Sequence, residues 1–181
     1  MKAFMGILFL ILAAPSLAQA PSPDSISLGD FGPSVRLTLG MPKEAALRSL
    51  RESYGVTDLE SGGVSVHSKS NPDLRNLDLV YGSVSFKEGR LSSVTKYWNI
   101  NGPDRGVAVV RAIYGAMSSF GGSTRACSVE TFDSQEPIME KRGVAVSCGR
   151  RRVAIFTNRW AFSSGASGES VVLNEVLSSE P

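Results

Sequence analysis

The sequence predicts an α+β fold in which two helices pack on one face of an antiparallel sheet of seven or eight strands. Two stretches carry apolar residues at helical spacing, and each begins with a proline, Pro42 or Pro103, that suits the first turn of a helix. Most of the remaining chain consists of short segments of alternating apolar and polar residues between glycine-containing turns, which is typical of antiparallel strands. The chain has 181 residues, 42% of them hydrophobic, which is enough for one compact domain.

The first eighteen residues (1–18) have the pattern of a cleavable signal peptide. Lys2 precedes the uncharged apolar run Phe4–Ala14, and Ser16 and Ala18 are small residues at the spacing that signal peptidase requires. A membrane anchor is the less favoured alternative, because the run has about eleven residues and a bilayer span needs roughly 20. We therefore expect cleavage after Ala18 and a periplasmic or secreted chain with no transmembrane segment in its mature form.

The first half of the mature chain is predicted to hold an arm, a strand and a helix. Residues 19–33 are rich in proline, serine and glycine, which indicates a mobile arm before a single domain over 34–181. The domain begins with a short strand at Val35–Leu39. A helix over 42–54 follows, and its apolar side contains Ala46, Leu47, Leu50 and Tyr54.

Short strands and one hairpin come next. The strands are predicted at Val56–Leu59 and Val64–His67. In the hairpin, Leu77–Phe86 and Leu91–Ile100 flank a turn whose third position is Gly89, which fits a type I turn with a bulge. A second helix is predicted from Pro103 to the Gly121-Gly122 pair. Its apolar stripe, the side by which such a helix packs on a sheet, contains Val107, Val110, Tyr114 and Met117, widened by Val109, Ile113 and Phe120.

The last third of the chain is predicted to be strands. Arg125–Phe132 pairs with Ile138–Ser147, and a closing strand lies at 170–177. Between them, Gly149-Arg150 is a two-residue turn that joins Val144–Cys148 to Arg151–Thr157. That turn places apolar residues opposite one another, which fixes the register as Val146 opposite Val153 and Val144 opposite Ile155.

Cys127 and Cys148 are the only cysteines. An even number of cysteines in an oxidising compartment predicts one disulfide between them. A redox pair is the less favoured alternative, because the spacing is not Cys-x-x-Cys.

Several landmarks recur at an offset of about sixty residues. Gly89-Arg90 recurs as Gly149-Arg150, and Thr95-x-x-Trp98 recurs as Thr157-x-x-Trp160 with the only two tryptophans of the chain. We hypothesise two copies of a helix-plus-β-meander unit, at about 40–100 and 101–162.

Two short motifs carry a family resemblance. Residues 39–47 (LGMPKEAAL) resemble the helix start of the SmpA/OmlA (BamE-like) outer-membrane assembly lipoproteins, and residues 86–91 (FKEGRL) are similar to a hairpin common in those modules. Secreted β-lactamase-inhibitor proteins use two tandem copies of a similar unit and bind through a concave sheet. The resemblance implies a tandem α/β shape and a non-enzymatic binding role.

The composition excludes several classes of function. A net charge of +2 does not provide the basic footprint of a nucleic-acid binder. One histidine, His67, and two cysteines are too few for a metal cage, and no nucleotide-binding motif is present, so neither a metal nor a cofactor is expected. We expect His67 at the surface or edge of a short strand, and we expect the protein not to be an enzyme.

The contact residues are predicted from aromatic and basic side chains, namely Tyr97, Trp98, Trp160, Arg150, Arg151 and Arg152. Tryptophan and tyrosine are suited to anchor interfaces, and a basic turn can contact acidic groups, although core packing and a solvated turn are the structural alternatives. The sequence thus predicts an exported non-catalytic binding protein of the cell envelope. Its partner would be another envelope or secreted protein, held on the sheet face opposite the helices.

Two other classes of function stay open. One is an envelope hydrolase whose site is assembled from dispersed serines, carboxylates and His67. The other is a small-ligand carrier with an apolar cavity between sheet and helices.

Overall fold

The computed structural model describes residues 24–29, 34–74, 76, 79–98, 100, 105–120, 127–161 and 165–180. Within these residues it contains two helices, an antiparallel sheet of eight strands and a separate sheet of two strands. The predicted α+β class and the large antiparallel sheet are therefore confirmed. The signal peptide, its cleavage site and the Pro103 helix start lie outside the described residues.

The two-stranded sheet comes first in the chain. Strand β1 (Ser25–Leu28) pairs with β2 (Val35–Thr38) so that Ile26 lies opposite Leu37, and both side chains are buried. The sequence predicts a strand at β2 but places β1 inside a mobile arm over 19–33. That prediction is wrong for residues 25–28, because Ile26 and Leu28 alternate as in a strand with one buried face.

The first helix and the strands after it follow the predicted order. Helix α1 (Lys43–Ser53) begins after Pro42 and ends at Tyr54, whose backbone is extended. Its buried side chains are Ala46, Leu47 and Leu50, as the helical spacing predicts. The next strands are β3 (Gly55–Asp58), β4 (Val64–His67), β5 (Val80–Lys87) and β6 (Arg90–Trp98). Gly89, in the turn between β5 and β6, has a φ of 72°, which favours glycine.

The described residues of the second half form one helix and four strands, namely α2 (Arg105–Ser118), β7 (Cys127–Glu136), β8 (Met139–Cys148), β9 (Arg151–Ala161) and β10 (Ser167–Ser178). The register between β8 and β9 is the predicted one, with Val146 opposite Val153 and Val144 opposite Ile155. The predicted disulfide is also confirmed. It joins Cys127 to Cys148, which are direct neighbours across β7 and β8 with 4.4 Å between their Cα atoms.

The strand order of the large sheet is β3-β4-β5-β6-β10-β9-β8-β7, so β6 and β10 meet at its centre. Where the structure describes the chain, each half contributes a helix followed by four strands. The Thr-x-x-Trp landmarks lie on β6 and β9, which are the fourth strand after α1 and the third strand after α2. They therefore do not occupy equivalent places in this order.

Two clusters of buried apolar residues form the core. The larger one joins β1 and β2 to α1 and to β4, β5 and β6, and it includes Leu28, Leu37, Leu50, Val66 and Val94. The smaller one lies at α2 and contains Ile100, Ala112, Ala116, Val153 and Leu173.

Candidate functional site

The two tryptophans lie on opposite faces of the large sheet. Trp98 is opposite Leu173 of β10, whereas Trp160 is opposite Gly168 of the same strand. Because successive side chains of a strand point to opposite faces, residues 168 and 173 face opposite ways. The structure therefore does not bring Trp98 and Trp160 together as one aromatic surface.

Both indoles fill space that a glycine leaves open. A Cβ atom on Gly115 of α2 would lie 2.7 Å from Cη2 of Trp98, and a Cβ atom on Gly168 would clash with the ring of Trp160. Each tryptophan is half-buried by this packing. This arrangement matches the core-packing alternative that the sequence left open.

Tyr97 is the most exposed of the predicted aromatic contacts, with 37% of its surface accessible. It lies opposite Asn174 of β10 and thus on the same sheet face as Trp160. Their partners on β10, Asn174 and Gly168, are six residues apart, which corresponds to about 20 Å along the strand. The two side chains share a face without forming a cluster.

The three arginines of the β8–β9 turn each meet a different acidic side chain. Arg150 pairs with Asp24 at 3.1 Å, and Arg152 pairs with Glu130 at 2.6 Å. Arg151 is buried, bonds to Glu175, and donates a second hydrogen bond of 2.7 Å to the backbone carbonyl of Ser25. The structure does not present them as one basic surface, because Arg151 points into the protein while the other two are at least partly exposed.

The exposed apolar surface of α2 is the feature that the sequence interpretation missed. Most of the predicted packing stripe is turned outward, and the helix buries two small residues, Ala112 and Ala116. Of the predicted stripe, only Val109 and Phe120 pack against the core cluster at α2. The exposed large residues of this helix, which we call the outer face of α2, are Val107, Val110, Ile113, Tyr114 and Met117. Contiguous exposed apolar residues are typical of interaction sites.

His67 is buried rather than at the surface, so the expectation of an exposed histidine is wrong. Its Nδ1 donates a hydrogen bond of 2.8 Å to the carbonyl of Ser68, and its Nε2 lies 2.9 Å from the hydroxyl of Thr57. The ring packs against Gly55, where a side chain would clash with it. When Nδ1 carries the single ring hydrogen, Nε2 accepts a hydrogen bond from the hydroxyl of Thr57.

The Thr57–His67 pair has the hydroxyl and imidazole that nucleophilic catalysis uses, and a backbone carbonyl orients the ring in place of a carboxylate.

In the described part of the chain, no cluster of three or more His, Cys, Asp or Glu side chains is arranged to hold a metal ion. Among the helices of this same part, neither has the length and apolar character needed to cross a membrane.

Comparison with known proteins gave no match to any family model, curated protein or solved structure. The resemblance to the BamE-like and inhibitor modules stays a prediction from the sequence motifs.

Proposed function

We propose that the protein is an exported, non-catalytic binding protein of the cell envelope that inserts the outer face of α2 into an apolar groove of another envelope or secreted protein. The observation that carries the proposal is the exposure of this face, which reaches 57% at Val107, 67% at Val110 and 76% at Tyr114. A helix that served only to cover the sheet would turn such side chains inward.

The spacing on the outer face supports a groove as the complementary surface. Val107, Val110, Tyr114 and Met117 follow one another at intervals of three or four residues, so they form one line along the helix. Helices that dock into grooves use anchors at this spacing. Tyr114, the most exposed of them, belongs to a residue type that often dominates binding energy.

The charge on α2 supports a partner protein over a lipid surface or a second copy of this chain. No acidic residue occurs between Arg105 and Ser118, and the exposed Arg111 lies beside the outer face. Helices that bind anionic lipid are rich in lysine and arginine along a whole face. Two copies of α2 would bring two Arg111 side chains to one interface without a carboxylate on either helix. The partner surface that best matches the outer face of α2 and Arg111 is therefore an apolar groove with acidic residues at its rim.

We infer further that both helices cover the same face of the large sheet, as the sequence predicts. Leu173 and Leu177 are four residues apart on β10 and so point to one face. Leu173 belongs to the core cluster of α2, and Leu177 belongs to the cluster of α1. The order of a helix and four strands, which occurs twice, supports the hypothesis of an internal repeat.

Export is supported by two features. The Cys127–Cys148 disulfide suggests a non-reducing environment. The predicted signal peptide over 1–18 would deliver the chain to the periplasm or the exterior.

The hydrolase alternative has one specific observation in its favour, which is the Thr57–His67 pair. A Thr57→Val variant keeps the shape of the side chain and removes the hydroxyl. If the protein hydrolyses an ester or amide and this variant loses that activity while its circular dichroism is unchanged, the hydrolase interpretation replaces the binding one.

Site-specific photo-crosslinking tests the proposed function. A photoreactive amino acid is placed at Val110 or Tyr114, and a matched control carries it at Val129, which is 69% exposed on β7. In cells that export the protein, we expect one discrete protein adduct from α2 and none from β7. The purified partner should then bind Arg111→Glu and Tyr114→Ala variants at least tenfold more weakly than the unmodified chain.

Three results would overturn the proposal. The first is an adduct with a second copy of this chain, and the second is an adduct with lipid alone. The third is unchanged affinity of the identified partner for the Arg111→Glu and Tyr114→Ala variants.

A further inference from the structure

Met117 is the last apolar side chain in the line along the outer face of α2, three residues after Tyr114. It is 42% exposed, and it belongs to neither of the two core clusters. Its flexible, polarisable thioether is therefore free to contact a partner. A chemical change at its sulfur would alter the outer face and leave the core as it is.

The cysteines of the chain leave no thiol for an oxidant. Cys127 and Cys148 are the only two, and they are joined in the disulfide. Methionine is then the remaining side chain whose sulfur a peroxide oxidises reversibly.

The other methionines differ from Met117 in burial or in position. Two of the five fall within the predicted signal peptide over 1–18. Met41 is half-buried and packs against the core cluster of α1. Met139 is half-buried on β8, opposite Trp160 and so on the sheet face away from α2. Among the methionines that the structure describes, Met117 is the exposed one and the one on the outer face.

We propose that Met117 is a reversible oxidation site at which hydrogen peroxide turns off binding through the outer face of α2. This inference rests on the proposed function. In the oxidation, the thioether sulfur attacks one peroxide oxygen, the O–O bond breaks and an S=O bond forms. Sulfur loses two electrons, and the second oxygen leaves as water with both protons. A methionine sulfoxide reductase reverses the step with two electrons from a dithiol, and the oxygen leaves as water.

The sulfoxide weakens binding because it places a polar group on an apolar contact surface. In the free protein, water forms hydrogen bonds to the S=O oxygen. In an apolar groove these hydrogen bonds are lost, so the cost falls on the complex alone, and we expect binding to weaken by about fivefold or more. A bound partner would in turn cover Met117 and protect it from peroxide.

Peptide mass spectrometry of the purified chain tests the oxidation step. After exposure to hydrogen peroxide, we expect the sulfoxide to form at Met117 at least about fivefold faster than at Met41, because susceptibility follows exposure. In the chain unfolded by guanidinium chloride, the two rates should become equal. Equal rates in the folded chain would overturn the proposal.

Photo-crosslinking from Val110 tests the binding step. The purified chain is oxidised with hydrogen peroxide, freed of peroxide and illuminated with an envelope fraction. We expect the yield of the protein adduct to fall by about fivefold or more, and methionine sulfoxide reductase should restore it.

Two leucine variants separate Met117 from other sites of oxidation. Met117→Leu keeps an apolar side chain of similar volume, so its adduct should form in normal yield and should not respond to peroxide. Met139→Leu is the matched control, and peroxide should lower its adduct yield as much as that of the unmodified chain.

The proposed function and this inference fail in different ways. If no protein adduct forms before oxidation, the proposed function is wrong and the inference falls with it. If the adduct forms but peroxide leaves its yield unchanged, or lowers it equally in Met117→Leu, only the role of Met117 is overturned. Circular dichroism of the oxidised chain should match that of the untreated chain, and loss of the folded signal would also overturn the inference.

Discussion

Arg151 and Glu175 form an ion pair in which both side chains are buried, with 7% and 3% of their surfaces exposed. Arg151 is on β9, Glu175 is on β10, and the second hydrogen bond of Arg151 reaches the carbonyl of Ser25 on β1. This pair therefore links the two-stranded sheet to the centre of the large one. A buried charge of this kind is tolerated only while its partner is present.

Glu175→Gln should destabilise the protein strongly, because it leaves the Arg151 guanidinium buried without a counterion. Glutamine has nearly the same shape, so packing around the site is kept. We expect the free energy of unfolding to fall by about 3–5 kcal/mol. Urea denaturation at neutral pH, followed by circular dichroism, measures the change.

Glu130→Gln is the matched control for this substitution. It breaks the pair with Arg152, in which both side chains are 40% or more exposed, so we expect a loss of about 0–1 kcal/mol. If Glu175→Gln and Glu130→Gln lowered the free energy of unfolding equally, burial of the Arg151–Glu175 pair would not make its loss more costly than that of an exposed pair.

The hairpins and the disulfide could be predicted because their determinants are local in sequence. Gly89 and Gly149 mark turns, and the apolar residues beside them alternate in phase, which fixed the β8–β9 register correctly. The sequence does not predict strand β1, because its two apolar residues, Ile26 and Leu28, lie in a segment whose prolines and serines dominate the composition.

The environment of the candidate contacts could not be predicted, because it depends on contacts between distant parts of the chain. Helix α2 has apolar residues on both sides, so periodicity does not determine which side is buried. Ala112 and Ala116 are the buried residues because they belong to a cluster with Val153 and Leu173, against which Trp98 also packs. Likewise, Arg151 is buried only because β10 returns between β6 and β9 with Glu175 facing it.

Gly115→Ala should destabilise the protein although alanine favours helices. The added Cβ would lie 2.7 Å from Cη2 of Trp98, so either the helix or the indole must move. We expect the free energy of unfolding to fall by about 1–3 kcal/mol, the usual cost of overpacking. Thermal unfolding by circular dichroism measures it.

Gly106→Ala in the same helix provides the comparison. No atom lies within 4 Å of the Cβ that it would add, so only the helix preference of alanine acts. A gain of roughly 0.5–1 kcal/mol is expected. If Gly115→Ala stabilised the protein as Gly106→Ala is expected to do, the close packing of Gly115 on Trp98 would be refuted.

Loss of the Cys127–Cys148 disulfide should loosen β7 most. This edge strand is exposed along nearly all of its length, so few buried contacts hold it against β8. The bridge spans 21 residues, and its removal should cost about 3 kcal/mol. Hydrogen exchange of the β7 amides, with and without reductant, checks this, and a Cys127→Ser/Cys148→Ser double variant should not respond to reductant. Equal protection of β7 in both states would contradict the prediction.

The ion pair between Lys87 and Glu180 should make a small contribution to stability that is lost at low pH and at high pH. Nζ of Lys87 lies 2.8 Å from Oε1 of Glu180, and both side chains are exposed. Their hydrogen bond and, to a smaller extent, their opposite charges raise the pKa of Lys87 and lower the pKa of Glu180. The contribution of Glu180 is present above its ordinary pKa of 4.5 and is lost as the pH falls through the lower folded value.

The pKa of Lys87 is raised, so the contribution of Lys87 is present below the ordinary pKa of 10.5 and is lost as the pH rises through the higher folded value. An NMR titration of the Glu180 carboxyl carbon tests the pair directly. Lys87→Met should move the pKa of Glu180 up toward 4.5. High salt should produce part of the same shift in the unmodified chain, since it screens exposed charges. If the pKa of Glu180 is the same in both proteins, the pair does not persist in solution.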